Sequence, residues 1–246
     1  MQIERFCFPG AGGAELAGVV RRPEGPVQGS ALIAHCFTCG KDIHTTARLA
    51  KRLTAAGWLT MTFDFTGLGE SGGSFGDQSV GTNVGDLTRA AVALIERNAG
   101  PCLLIGHSLG GAAAVLAAAR VKTVDRIIAI AAPSDVEHVR HLFDDAPVRA
   151  DGSVDAHIGG RPFRIGAEFQ EDLARHDVIA AAASLERPFL VVEAGADTIV
   201  GAEQTARLAA AGGADVATIP DADHLFGGAE AGAALADTVL DWLDRT

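Results

Sequence analysis

Basic charge is scarce in this chain: 20 Lys and Arg residues stand against 31 Asp and Glu, a formal net charge of −11. No stretch gathers Lys and Arg with interleaved aromatics, so the electrostatic footprint of a nucleic-acid binder is missing and anionic polymers are excluded as partners. Long apolar runs are missing too. Apolar residues make up 48% of the chain, but as alanine-rich segments and short Val/Ile/Leu strings, none approaching the roughly 18 residues of a membrane span. The opening MQIERFCF has no basic region followed by a long apolar stretch and a cleavage site, so no secretory signal is read there and a cytoplasmic location is expected. Four cysteines (Cys7, Cys36, Cys39 and Cys102) are too few and too scattered over 246 residues for a disulfide framework. Cys7 and Cys102 fall in strand-like segments and are expected to fill the core. No Pro/Gly/Ser-rich linker, composition break or internal repeat divides the chain, and its length suits one domain with a substantial core.

Along that length, strand-like and helix-like segments alternate. This is the pattern of an α/β protein with a mostly parallel central sheet covered by helices on both faces. An opening hairpin spans Ile3 to Phe8 and Glu15 to Arg22. Strands are expected at 31–35, 59–63, 101–105, 126–130, 189–193 and 215–219. Helices are expected at 43–56, with Asp42 as N-cap and Gly57 as stop, and at 83–98, 109–120, 202–211 and 229–244. The alternation breaks between about 133 and 176. Ser153 to Ile165 reads there as a hairpin around Gly159-Gly160, and Glu168 to Arg175 as a short helix. A small cap inserted over the strand ends is the expected role of this stretch, since loops of that length usually carry function.

One segment carries chemistry. The apolar string ending at Ile105 runs into Gly106-His107-Ser108-Leu109-Gly110 and then into an alanine-rich helix. That layout forces Ser108 onto a tight strand-to-helix turn, with glycines where larger side chains would collide with neighbouring strands. The following helix points its positive end at the place where charge develops on an attacked carbonyl. A serine hydroxyl is a weak nucleophile, so it needs a base within reach and an acid to orient that base. His224 is the one histidine of eight that lies after the last strand, and Asp197 follows the preceding strand. Glu193, Asp221 and Asp223 are rivals to Asp197. Two backbone N–H groups would complete an oxyanion hole: Leu109, after the serine, and Phe37, in the loop after the third strand. His107 should point away from Ser108 and pack in the core.

Taken together, G-H-S-L-G-G, the loop D-F-T-G-L-G-E-S at Asp64 to Ser71, and the late Asp and His resemble the α/β-hydrolase superfamily over essentially the whole chain. More narrowly, H-C-F-T-C-G-K-D and G-R-P-F-R-I at Gly160 to Ile165 are similar to the hydrolase half of bacterial proteins that fuse an α/β hydrolase to an OsmC-like peroxide-defence domain. The resemblance implies a cofactor-independent serine hydrolase acting on a small carboxylic ester or thioester. It leaves acyl transfer, or a redox-regulated or non-catalytic partnership with an OsmC-like protein, as alternatives. The chain would be a stand-alone relative or a part of such a fusion. A serine in place of aspartate or cysteine argues against dehalogenase, epoxide-hydrolase and dienelactone-hydrolase chemistry.

One departure stands out. Many relatives carry His-Gly in the oxyanion loop, whereas Cys36 follows His35 here. Cys36 and Cys39 have the spacing of a redox pair, readable either as two small loop residues that shape the oxyanion turn or as a thiol switch, whose oxidation would move the Phe37 N–H and suppress activity until dithiothreitol restores it. His138 and His141 have i, i+3 spacing but no third ligand, so a solvated helix face is expected rather than a metal site. The glycine-rich loop around Gly67 does not match a dinucleotide fingerprint, and no cofactor is expected.

Overall fold

In the computed structural model, which describes residues 1–97 and 99–246, the short apolar strings become strands, and those at the centre of the sheet (29–34, 58–63, 103–107 and 126–130) have side chains buried on both faces. The strands are β1 (Gln2–Pro9), β2 (Glu15–Arg22), β3 (Gly29–Ala34), β4 (Trp58–Phe63), β5 (Leu103–His107), β6 (Arg126–Ile130), β7 (Val154–Ile158), β8 (Arg161–Ile165), β9 (Phe189–Ala194) and β10 (Asp215–Ile219). One eight-stranded sheet has the order β1-β2-β4-β3-β5-β6-β9-β10. From β4 to β10 every pairing is parallel, while β2 runs antiparallel to both β1 and β4. β7 and β8 form a separate antiparallel hairpin.

The helices are α1 (His44–Ala55), α2 (Val80–Ile95), α3 (Leu109–Ala117), α4 (Ala167–Asp172), α5 (Val178–Ala183), α6 (Ala202–Gly212) and α7 (Ala229–Leu243). Because successive strand residues face opposite ways, β5 sends Leu104 into the core shared with α2, α3, α5 and α6, and Leu103 and Ile105 into the core shared with α1 and α7. In the second core Trp242 is fully buried, and its indole N–H donates to Asp215 Oδ2 at 2.7 Å, which satisfies the polar end of a large apolar side chain. Among the described residues no helix is long and apolar enough to cross a membrane.

Several sequence expectations need correction. Asp42 does not cap α1: the residue before the helix is Ile43, and the Asp42 carboxylate turns instead to Lys41 Nζ, 3.4 Å away. The second helix starts at Val80, not Asn83, because Ser79 Oγ accepts the Thr82 N–H at 2.9 Å. It ends at Ile95, and the expected last residue, Asn98, lies outside the described residues. Cys7 is no core filler. β1 is an edge strand that directs Phe6 and Phe8 to the core, which leaves Cys7 exposed. Cys102 precedes β5 and is half-buried. The expected helix at 168–175 divides into α4 and a 3-10 turn at Leu173–Arg175. α5, only six residues long and capped by the Asp177 side chain on the Ala180 N–H, is too short to show a period.

The turn between β5 and α3 is held by lack of space. A Cβ on Gly106 would lie 2.1 Å from the Gly110 carbonyl oxygen, and one on Gly110 would lie 2.2 Å from that of His35. Both obstacles are backbone, which cannot rotate aside. Gly106→Ala should therefore lower stability by about 3 kcal/mol, read as a drop in the denaturant midpoint at unchanged slope. A midpoint equal to wild type would mean that strand and helix have room to part.

Candidate active site

The carboxyl ends of the parallel strands open into a cleft of about 660 Å³, and the turn after β5 lies at its floor. Ser108 there adopts φ 55°, ψ −128°, a conformation that L-residues avoid. Its N–H is tied to the Ile130 carbonyl of the neighbouring strand at 2.8 Å. The residue is 8% exposed, so only one side of its hydroxyl meets the cleft.

Two loops bring partners to it. The turn after β9 carries Asp197, whose Oδ1 accepts the N–H groups of Ile199 at 2.7 Å and Val200 at 3.0 Å. Its Oδ2 accepts from His224 Nδ1 at 2.8 Å, and His224 Nε2 lies 2.9 Å from Ser108 Oγ. Since Nδ1 holds the imidazole proton, the serine O–H is the donor to Nε2. Burial pushes the Asp197 carboxyl up, but the bond to His224, the charge of that ring and the two N–H groups outweigh it and hold the acid below the usual carboxylate range. Of its rivals, Glu193 accepts the hydroxyls of Thr205 and Thr218, and Asp223 accepts the Gly227 N–H.

The loop after β3 forms the opposite wall. The fully buried His35 accepts the Phe65 N–H on Nε2 at 3.2 Å, so its proton sits on Nδ1 and is donated to the Cys36 carbonyl at 2.8 Å. Burial lowers the pKa of this ring, in keeping with a neutral imidazole. A trans peptide carries its C=O and N–H on opposite sides. With the Cys36 carbonyl turned to His35, the Phe37 N–H points the other way. It has no hydrogen-bond partner among the described residues, and neither has that of Leu109 at the start of α3. The Phe37 ring stacks on Phe169 at 5.2 Å and packs on Phe75 at 5.5 Å, which keeps it against the segment 133–176. Cys36 and Cys39 are joined by a disulfide with Cα atoms 5.3 Å apart, and it brackets Phe37 and the left-handed Thr38 (φ 60°). Arg161, at the tip of the β7–β8 hairpin, donates to the Thr38 carbonyl.

The His138–His141 pair lies on a helix face as expected, with His141 exposed and His138 half-buried. Both rings lie on a 3-10 helix (Val136–Leu142) that lines the cleft, and His138 Nε2 donates to the Ile199 carbonyl beside Asp197. Among the described residues no group of three or more His, Cys, Asp or Glu side chains is placed to hold a metal ion.

Three supports of this site were not read from the sequence: His35, Arg161 and the ion pair Lys41–Asp64. Asp64, at the end of β4, is 1% exposed and accepts the Lys41 N–H at 2.6 Å, Lys41 Nζ at 2.8 Å and the Glu70 N–H at 2.9 Å. Burial opposes the Lys41 charge, but hydrogen bonds to Asp64 and Glu70 outweigh it and raise the ammonium pKa. The Lys41–Asp64, His35–Phe65 and Arg161–Thr38 pairings each join residues more than 20 positions apart, so no local pattern announces them. Asp64→Ala would strip the buried ammonium of its buried partner and two backbone donors of their acceptor. We expect a loss of about 3 kcal/mol in urea unfolding; a loss under about 1 kcal/mol would mean that Glu70 and solvent replace the carboxylate.

The model of the family described as Serine aminopeptidase, S33, matches residues 26–146. No curated protein sequence matches the chain. Among solved structures, the esterase domain of a Rhodothermus marinus protein is 34% identical over 100% of this chain and 99% of its own, with a TM-score of 0.82. Est1E from Butyrivibrio proteoclasticus, solved with ferulic acid, is 19% identical over 97% of this chain and 99% of its own, with a TM-score of 0.82. The Pyrococcus furiosus esterase Pf2001 is 18% identical over 99% and 92%, with a TM-score of 0.75. The last two are like this chain in fold. The sheet order and the serine turn define an α/β-hydrolase fold, and with the Rhodothermus esterase domain, matched over 99% of its length, they settle the family. This chain belongs to the α/β-hydrolase superfamily and is a hydrolase.

Proposed function

We propose that the protein is a serine hydrolase that cleaves carboxylic esters without a cofactor. The observation that carries this reading is the unbroken line from Asp197 through His224 to Ser108, with contacts of 2.8 and 2.9 Å. In the proposed cycle His224 Nε2 takes the Ser108 proton as Oγ attacks the ester carbonyl, and Asp197 holds the ring in the required tautomer and stabilises the imidazolium. The Phe37 and Leu109 N–H groups receive the oxyanion. His224 then gives its proton to the leaving alkoxide, which departs as the alcohol. Water, deprotonated by the same ring, opens the acyl-enzyme and releases the acid. The segment 133–176 acts as a cap, supplying Val139, Leu142 and Ile158 to the cleft where an acyl chain would lie.

A peptide bond could be attacked by the same groups, and the matching family model is named for an aminopeptidase. The ester reading is favoured by the relative with 34% identity, which is described as an esterase domain. Short-chain p-nitrophenyl esters should be hydrolysed and amino-acid p-nitroanilides should not. Ser108→Ala should reduce ester turnover by roughly 10³-fold or more and abolish labelling by a fluorophosphonate probe. Equal rates in both proteins would exclude the serine mechanism.

The disulfide favours a second element of the reading, redox control of the oxyanion loop. In a cytoplasm such a pair meets thiol pools that reduce it. Dithiothreitol would open it by exchange, giving two cysteine thiols and its own cyclic disulfide. Because the disulfide is closed in the structure in which Asp197, His224 and Ser108 are in contact, the sign expected from the sequence is reversed. The freed Cys36–Cys39 segment would no longer pin Phe37, and reduction should lower kcat roughly 10-fold, with recovery on reoxidation. Identical kcat in both redox states would leave the cysteines as loop filling.

A further inference from the structure

His107, the residue before Ser108, takes part in no step above. Its ring is fully buried, and its Nε2–H donates to the His224 backbone carbonyl at 2.7 Å, joining residues 117 positions apart. The two imidazoles lie 5.1 Å apart, and Phe226 closes the far side edge-on at 6.3 Å. Nδ1 is buried with no hydrogen-bond partner among the described residues. The single bond to His224 therefore sets the tautomer.

That orphan nitrogen is informative. A buried acceptor without a donor is destabilising, and a leucine or phenylalanine chosen for packing would not carry one. The compensating gain must lie in the bond the ring does make. Burial first, and then the charge of His224, push the His107 pKa down to about 3. The ring is thus a neutral donor at working pH and adds no positive charge to oppose an imidazolium on His224.

The loop it holds has need of a restraint. Asp223 and Leu225, on either side of His224, are exposed, and Phe226 takes a left-handed φ of 49°. Other ties reach the loop from α1, through Thr45 to the Leu225 carbonyl and Arg48 to the Gly227 carbonyl. Among the described residues, only His107 ties the main chain of His224 itself to the strand that carries the serine.

We propose that His107 is a positioning residue: its Nε2–H fixes the His224 backbone so that the imidazole meets Ser108 Oγ at bonding distance. This rests on the serine-hydrolase reading. The test compares wild type, Ser108→Ala, His107→Gln, His107→Asn and His107→Leu on a short-chain p-nitrophenyl ester, with folding checked by near-ultraviolet circular dichroism. A glutamine amide reaches about as far as Nε2, an asparagine amide stops short, and leucine packs without a donor. We expect Asn and Leu to lose about 10²-fold in kcat with KM within about twofold, and Gln to recover to within about tenfold of wild type. If Leu fails to fold, the Gln–Asn comparison carries the test. Gln no better than Asn, or Leu at wild-type kcat, would overturn the proposal. Turnover that survives Ser108→Ala overturns the serine mechanism instead, and a wild type with neither ester turnover nor fluorophosphonate labelling overturns both.

Discussion

A single backbone conformation, that of Ser108 at φ 55° and ψ −128°, governs the rest of the molecule. Holding a non-glycine residue there costs about 1–3 kcal/mol and persists only if the surroundings allow no alternative. They allow none: the Ser108 N–H is bound by β6, its carbonyl starts α3 by accepting from Gly111 and Ala112, and both flanking glycines lie against backbone. Among the described residues, the other non-glycine residues with positive φ are Thr38, Ala131 and Phe226. Ser108 and Ala131 directly follow β5 and β6, while Thr38 and Phe226 lie in the loops that follow β3 and β10. Strain is thus gathered at the carboxyl edge of the sheet, where chain direction must reverse around the cleft, while the interior stays regular.

The same edge sorts its charges by how each is compensated. Asp197 is kept ionised by two backbone donors and a ring, and Lys41 by the carboxylates of Asp64, Glu70 and Asp42. His35 and His107, with no carboxylate bonded to them, are driven toward neutrality by burial and serve as fixed donors to main-chain carbonyls. Three histidines near one serine therefore differ in role because of environment alone. His224 is the one among them bonded to an acid, and the one whose ring borders the cleft.

Much of this was legible in the chain because it is written in local pattern. Apolar strings a few residues long, separated by helical periods, give a parallel sheet, and the glycines on either side of Ser108 mark a turn with no room for a Cβ. The chain order of Ser108, Asp197 and His224 followed from where strands end. What could not be read depends on partners distant in sequence. Nothing near His107 indicates that its ring reaches His224, nothing near His35 that it accepts from Phe65, and nothing near Arg161 that it caps a carbonyl in the β3 loop. Local rules also failed where a tertiary charge outbid them. Asp42 has the side chain of an N-cap, yet the ammonium of Lys41 draws it away, and Cys7 alternates outward because an edge strand has only one core face.

The contacts of Phe37 tie selectivity to catalysis in the proposed enzyme. Its N–H faces away from His35, while its ring is stacked on Phe169 and packed on Phe75, which in turn meets Phe163 of the β7–β8 hairpin at 4.8 Å. Arg161 joins the tip of that hairpin to Thr38, the next residue in the loop. The segment that shapes the cleft and the peptide that would receive the oxyanion are therefore one packed unit. Aromatic interiors repack in discrete steps and do not yield gradually, so a substrate that displaces the hairpin also moves the Phe37 peptide. A donor misplaced by about 1 Å can cost 10²-fold in rate. Poorly fitting esters would on this basis be rejected mainly through kcat, because the residues that sense their shape are bonded to the residues that stabilise the transition state.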